Sequence, residues 1–224
     1  MTDKKPDRLE ENTTDLITAL ARGALGAAPI IGPVVAEMFT IAIPGQRVDR
    51  IVDVLRRVEA RVGDIESLIE TMKTPEGADL TEDALVQAAR ALTEERRHYI
   101  ASMLRNSLTR EEQLHDQKKK LFNILSQLTD HEIIFLKLYS LRLTIGSKHP
   151  FVEKHRDIIR PASRALSSEK NERNKSIFQD SYVNTLDILG LVKMEDSKLA
   201  DRKPTSLSPL GNLLLDYIEV PDET

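Results

Sequence analysis

The stretch "VDRIVDVLRRVEARVGDIESLIETM", Val48 to Met72, decides the fold. Val48, Ile51, Leu55, Val58, Val62, Ile65, Ile69 and Met72 follow one another at steps of 3 and 4. One stripe of a helix is therefore apolar for more than three heptads, while Asp49, Arg50, Asp53, Arg56, Arg57, Glu59, Arg61, Asp64 and Glu66 fall on other faces. The spacing predicts one helix of about 25 residues, roughly 38 Å long. A seam this regular can pair within a chain or between chains, so self-association through Val48–Met72 is expected too.

N-terminal to the seam lies "ALARGALGAAPIIGPVVAEMFTIAIPGQRVDR", in which residues 24–44 carry a single charge, Glu37. Its length would suit a membrane span of about 20 residues, but Pro29, Gly32 and Pro33 break the run near its middle. Neither half can cross a hydrocarbon core about 30 Å thick. Two short apolar helices are predicted instead, a hairpin covered by the seam and capable of leaving it for lipid. The candidate membrane or partner segment comprises Leu25, Gly26, Pro29, Ile30, Ile31, Gly32, Pro33, Val34, Val35, Glu37, Met38, Phe39, Ile41 and Ile43. Pro44, Gly45, Gln46, Arg47, Asp49 and Arg50 form a candidate hinge and anchor at the start of the long helix.

C-terminal to the seam, "KTPEGADLT" reads as a break. A helix capped near Thr81 is expected over residues 82–108, with Leu85, Ala88, Ala89, Leu92, Tyr99, Ile100, Met103 and Leu104 buried. Thr109 with Glu112 has the capping-box pattern and predicts a further helix through Leu114 and Leu121 to Leu128. Thr129 with Glu132 repeats that pattern before "IIFLKLYSLRL". "FVEKHRDIIR" and "SEKNERNKSIFQDSYVNTLDIL" are helical candidates, and Gly190 sits where a left-handed helix end is expected. "LVKM" and "TSLS" are strand candidates flanking a charged turn, and Ser208-Pro209-Leu210-Gly211 opens a last helix.

The 224 residues thus predict a mainly α protein. A polar tail over 1–12 leads into an N-terminal helical bundle over 13–117, with its apolar hairpin and long heptad helix. A winged-helix-like domain with a small β-hairpin follows over 118–219, then a tail over 220–224. Hydrophobic residues make up 40%, charged ones 30% and aromatics 4%, which places the chain with globular proteins whose cores are aliphatic. With no cysteine, disulfides and thiolate chemistry are excluded. The acidic, polar N-terminus predicts no secretion signal, so a cytoplasmic protein is expected.

Three segments carry a resemblance. "LSQLTDHEIIFLKLY", "TLDILGLVK" and "TSLSPLGNLLLDYI" resemble the winged-helix modules of bacterial regulators and defence proteins over residues 121–218. The whole layout resembles bacterial abortive-infection alpha (Abi-alpha) proteins, and "PIIG....E.....IPGQRVDR" is similar to a phrase that recurs in uncharacterised bacterial proteins. The resemblance implies phage defence or a toxin-like role, with no fixed active-site residues. The apolar stretch lacks a basic flanking anchor, which argues against permanent membrane residence. The expected protein is therefore a non-enzymatic anti-phage, abortive-infection component. It would act by protein association and by inducible membrane insertion of the hairpin, becoming membrane-associated on activation.

The alternative is a winged-helix DNA-binding regulator. Between Lys148 and Lys175 eight Lys or Arg residues stand against four Asp or Glu, and Arg156, Arg160, Arg164, Lys170, Arg173 and Lys175 are the candidate nucleic-acid contacts. The recognition-position helix itself, from Ser176 to Leu189, has Asp180 and Asp187 but no Lys or Arg. A protein partner ranks first, a membrane second and nucleic acid third. No catalytic residue, metal site or cofactor is expected: the five histidines, His98, His115, His131, His149 and His155, include no i, i+4 pair, and His149, Glu153 and His155 form only a loose ligand set.

Overall fold

The computed structural model describes residues 28–38, 45–141, 149–163, 165, 169–194 and 204–219. Its helices are α1 (Ile31–Met38), α2 (Gly45–Glu59), α3 (Ile65–Lys73), α4 (Pro75–Arg90), α5 (Glu94–Thr109), α6 (His115–Gln127), α7 (Asp130–Ser140), α8 (Pro150–Lys154), α9 (Arg156–Ile159) and α10 (Lys170–Ile188). Strands β1 (Val192–Met194) and β2 (Pro204–Leu207) and helix α11 (Pro209–Ile218) complete the order. The protein is mainly helical with a small antiparallel sheet. It divides into two compact units, Met1–Phe122 and Asn123–Thr224.

The single long helix expected over residues 48–72 is two helices. Residues 60–64 interrupt it because Asp64 takes a non-helical conformation (φ −120°, ψ 94°) and its Oδ1 accepts the Ser67 N–H at 3.0 Å, capping a new helix. The apolar repeat is met by two shorter elements, and the register slips by one: Leu68 is buried where Ile69 was expected, and Val62, Ile65 and Ile69 are half-buried. Val48, Ile51, Val54, Leu55 and Val58 of α2 are buried within the N-terminal unit, where α2 packs against α4 and α5.

Three other expectations differ from the structure, the first two because a local cap outweighs a longer pattern. "KTPEGADLT" does end the seam, since α3 stops at Lys73, but the break is one residue long: Thr74 caps α3 and also accepts the Gly77 N–H to open α4, and Pro75 occupies the first turn, where its missing N–H has no partner to lose. Thr81, the expected cap, lies inside α4 with its hydroxyl donating to the Gly77 carbonyl at 2.7 Å. The helix expected over 82–108 is split at residues 91–93, where Thr93 caps α5, and Leu92 is 76% exposed rather than buried. The Thr109–Glu112 capping box does not form. Thr109 is the last residue of α5 and donates to the Arg105 carbonyl, α6 starts at His115, and Leu114 is exposed.

In the C-terminal unit α7 packs against α9, α10, β2 and α11. Thr129 and Glu132 form the expected capping box. β1 and β2 pair Val192 with Leu207 and Lys193 with Ser206. The two glycines of the quoted motifs meet at one seam. Gly190 ends α10 at φ +69°, a conformation open to glycine. The Ser208 hydroxyl donates to the Gly190 carbonyl at 2.6 Å and accepts the Gly211 N–H at 3.0 Å. A Cβ on Gly211 would stand 2.1 Å from the Leu191 carbonyl oxygen, so only glycine lets α11 lie this close to the strand entry.

Candidate functional site

Of the apolar N-terminal segment, the described part is Ala28 to Met38. Ala28, Ile31 and Val35 recur at helical spacing and are buried, with Gly32 buried beside them, and this stripe of α1 rests on α2 and α3. Pro33 is in the first turn, where a helix tolerates it. The residue before α1 is Ile30, whose side chain has no oxygen to cap the helix. The cap comes from 28 residues away: the Glu59 carboxylate, at the end of α2, accepts the Ile31 N–H at 2.5 Å and the Ile30 N–H at 2.9 Å. A carboxylate at a helix N-terminus also meets the positive end of the helix dipole.

The other face of α1 is open. Ile30, Pro33 and Glu37 are exposed, and Val34 and Met38 are half-buried. Leu25, Gly26, Phe39, Ile41, Ile43 and Pro44 lie outside the described residues. In the expected hinge, Gly45 to Arg50 form the first turns of α2. Arg47 and Asp49 are exposed, and Arg50 donates to the Ala89 carbonyl at 3.2 Å, fastening the start of α2 to the end of α4.

The middle of α2 is held by Asp53, whose carboxylate accepts from Arg57 at 3.1 Å and from Arg97 of α5 at 2.5 Å. Burial pushes the Asp53 carboxyl up, but the bonds from Arg97 and Arg57 outweigh it and hold it below its ordinary value. Neither Glu59 nor Asp53 stands out in the sequence, because each belongs to the alternating charges on the back of an amphipathic helix. What distinguishes them is a partner 28 or 44 residues away.

Acidic residues are interleaved in the sequence with the basic candidates of the C-terminal unit. Arg156 and Arg160 are exposed, Arg156 facing Glu153 at 3.9 Å. Lys170 is exposed at the start of α10, Arg173 and Lys175 are half-buried, and Arg164 lies outside the described residues. Glu153, Asp157, Glu169, Glu172 and Asp180, all exposed, lie among them. The conspicuous feature of α10 is apolar: Ile177 is 63%, Phe178 59% and Ile188 74% exposed.

Each histidine has a partner. His98 meets Arg61, His115 meets Asp79 at 3.0 Å, and His131 meets the Tyr182 hydroxyl at 3.1 Å. His149 caps α8 by accepting the Phe151 N–H, and His155 lies against the Phe151 ring. Among the described residues no group of three or more His, Asp or Glu side chains is placed to hold a metal ion, and no helix is long and apolar enough to cross a membrane. No protein-family model matches the chain, and no curated protein or solved structure is significantly similar to it.

Proposed function

We propose that this chain is a non-enzymatic bacterial anti-phage component of the abortive-infection type, acting by protein association and by releasing its N-terminal apolar segment onto a membrane when activated. The observation that carries the proposal is the Glu59 contact. A segment bearing Ile30, Ile31, Val34, Val35 and Met38 is attached to the body by one buried stripe and by a cap that another element supplies, while its outer face is open. An element held this way can leave without unfolding the helices beneath it. Since α1 is about 12 Å long at 1.5 Å per residue, it would lie in the membrane interface rather than cross the bilayer.

The C-terminal unit fits the same role as a winged-helix-like protein-contact module. Its order of helices, strand, strand and helix, with Gly190 and Gly211 at the junctions, supports the winged-helix reading. The exposed Ile177, Phe178 and Ile188 favour a protein partner over DNA, as do the acids interleaved with Arg156, Arg160 and Lys170. Self-association would draw on Val62, Ile65 and Ile69, the part of the seam that folding leaves half-covered.

Replacing Glu59 by Ala tests the proposal. Loss of a bond to a charged acceptor at a partly open site is expected to destabilise the docked helix by about 1.5 kcal/mol. Amide exchange at Ile30 and Ile31 should then accelerate by about tenfold, and more protein should float with anionic liposomes. Faster exchange without liposome binding would leave the latch standing and sink the membrane reading.

A further inference from the structure

Helix α10 is the longest of the described helices, yet among its 19 residues only Ser176 and Leu186 are buried. A helix draws most of its stability from an apolar face that something covers. On α10 a second apolar face stays in water, with Ile177, Phe178 and Ile188 each more than half exposed. Ile177, Ser181, Asn184 and Ile188 follow one another at steps of 4, 3 and 4, so they form one stripe along the helix, and all four are exposed.

Phe178 borders this stripe and is supported from behind. Its ring stacks on Tyr182 with centroids 6.4 Å apart, Tyr182 lies against Phe135 at 5.7 Å, and the Tyr182 hydroxyl meets Nδ1 of His131 at 3.1 Å. An exposed ring held this way has little freedom left to lose when a surface closes over it. The four residues of the stripe carry no charge, so the stripe offers a phosphate backbone nothing to pair with.

The stripe reads the same in both directions: an isoleucine at each end, a short polar side chain at each inner position, and steps that are symmetric. Turned end for end about a twofold axis between Ser181 and Asn184, it matches itself. Ile177 then meets Ile188 of a second copy, and the Ser181 hydroxyl meets the Asn184 amide, each able to donate and to accept. The charge of α10 favours the same direction. Lys170, Arg173 and Lys175 against Glu172 leave the first half of the helix with two positive charges in excess, and Asp180 and Asp187 leave the second half with two negative ones. Antiparallel pairing sets each half beside its opposite, whereas parallel pairing sets like beside like. We propose that α10 is a homodimer interface, in which the α10 helices of two copies of this chain pack antiparallel about a twofold axis between Ser181 and Asn184. The inference rests on the reading of the C-terminal unit as a protein-contact module and supplies its partner, and it is independent of whether α1 is released.

Because the chain contains no cysteine, single cysteines placed on α10 report the pairing. Ser181→Cys and Asn184→Cys stand near the axis, each offset by about 4.5 Å along the helix from its counterpart. Both full-length variants should form disulfide-linked dimers on oxidation with copper phenanthroline. Asn174→Cys, on the same exposed face, is offset by about 25 Å from its counterpart and should stay monomeric, although in a parallel pair it would link as well as Ser181→Cys. Adding Ile177→Asp to the Ser181→Cys chain should lower the yield of linked dimer about tenfold at equal concentration, with an unchanged circular dichroism spectrum because Ile177 is exposed. The inference is overturned if Ser181→Cys and Asn184→Cys link no more than Asn174→Cys, or if Ile177→Asp leaves the yield unchanged. Absence of linkage at all three positions overturns it too and leaves α10 to an unlike protein, in which case the protein-contact reading stands without the second copy.

Discussion

Two short apolar helices, α1 and α11, are made of similar residues and held in different ways. Each is rich in aliphatic side chains and has a proline and a glycine near its start: Gly32 and Pro33 in α1, Pro209 and Gly211 in α11. α11 carries its own cap in Ser208, buries Leu214, Leu215, Tyr217 and Ile218, and sits through Gly211 on the Leu191 carbonyl. α1 buries Ile31, Gly32 and Val35 and takes its cap from Glu59. Composition alone does not tell a helix seated on backbone from one capped by a distant side chain. The source of the cap and the closeness of the seat do.

The largest expected effect falls on α11. In Gly211→Ala the new methyl group meets a backbone oxygen, which cannot rotate away as a side chain would. The helix must lift, and a loss of about 3 kcal/mol is expected, read as a lower denaturation midpoint. A variant as stable as the parent would mean that α11 is no more firmly seated than α1, and the comparison would collapse.

Ser208→Ala should come next, at about 2 kcal/mol, because one hydroxyl both caps α11 and closes onto Gly190. The loss should exceed the one expected for Glu59→Ala. If the two are equal, a borrowed cap is as strong as a local one, and the latch has no special freedom.

These differences also show what the sequence could convey. The helical character, the left-handed Gly190, the Thr129–Glu132 capping box and the Ser208-Pro209 start of α11 were legible because each rests on neighbours within a few residues. The break in the seam was not legible because a 3-4 repeat is satisfied equally by one helix or by two in slipped register. The deciding contact, Asp64 with the Ser67 N–H, is one bond inside a charged run. The caps at Thr93 and Thr74 are likewise single local bonds. Glu59, Asp53 and the anchored Arg61 were not legible at all, since their partners stand between 28 and 44 residues away and leave no periodic trace.

The smallest expected effect separates the two helices by pH. The bonds that seat α11, among Ser208, Gly190, Gly211 and Leu191, involve no ionisable side chain. α1 rests on α2, which Asp53 ties to Arg97. Because the Asp53 carboxyl lies below its ordinary value of 3.8 in the folded protein, its contribution is present in full above that value and is lost as pH falls through the lower folded one. Asp53 is partly open to solvent, so the contribution is modest. Amide exchange followed from neutral pH into this acid range, corrected for the intrinsic rate, should therefore show α1 and α2 losing protection before α11. Asp53→Asn, lacking the ion pair, should flatten the acid-dependent part of that loss in α1 and α2 while leaving α11 unchanged. Simultaneous loss of protection in α1 and α11 in the parent protein would show that acid acts on the two helices alike, and that the way each is held does not set how readily it leaves.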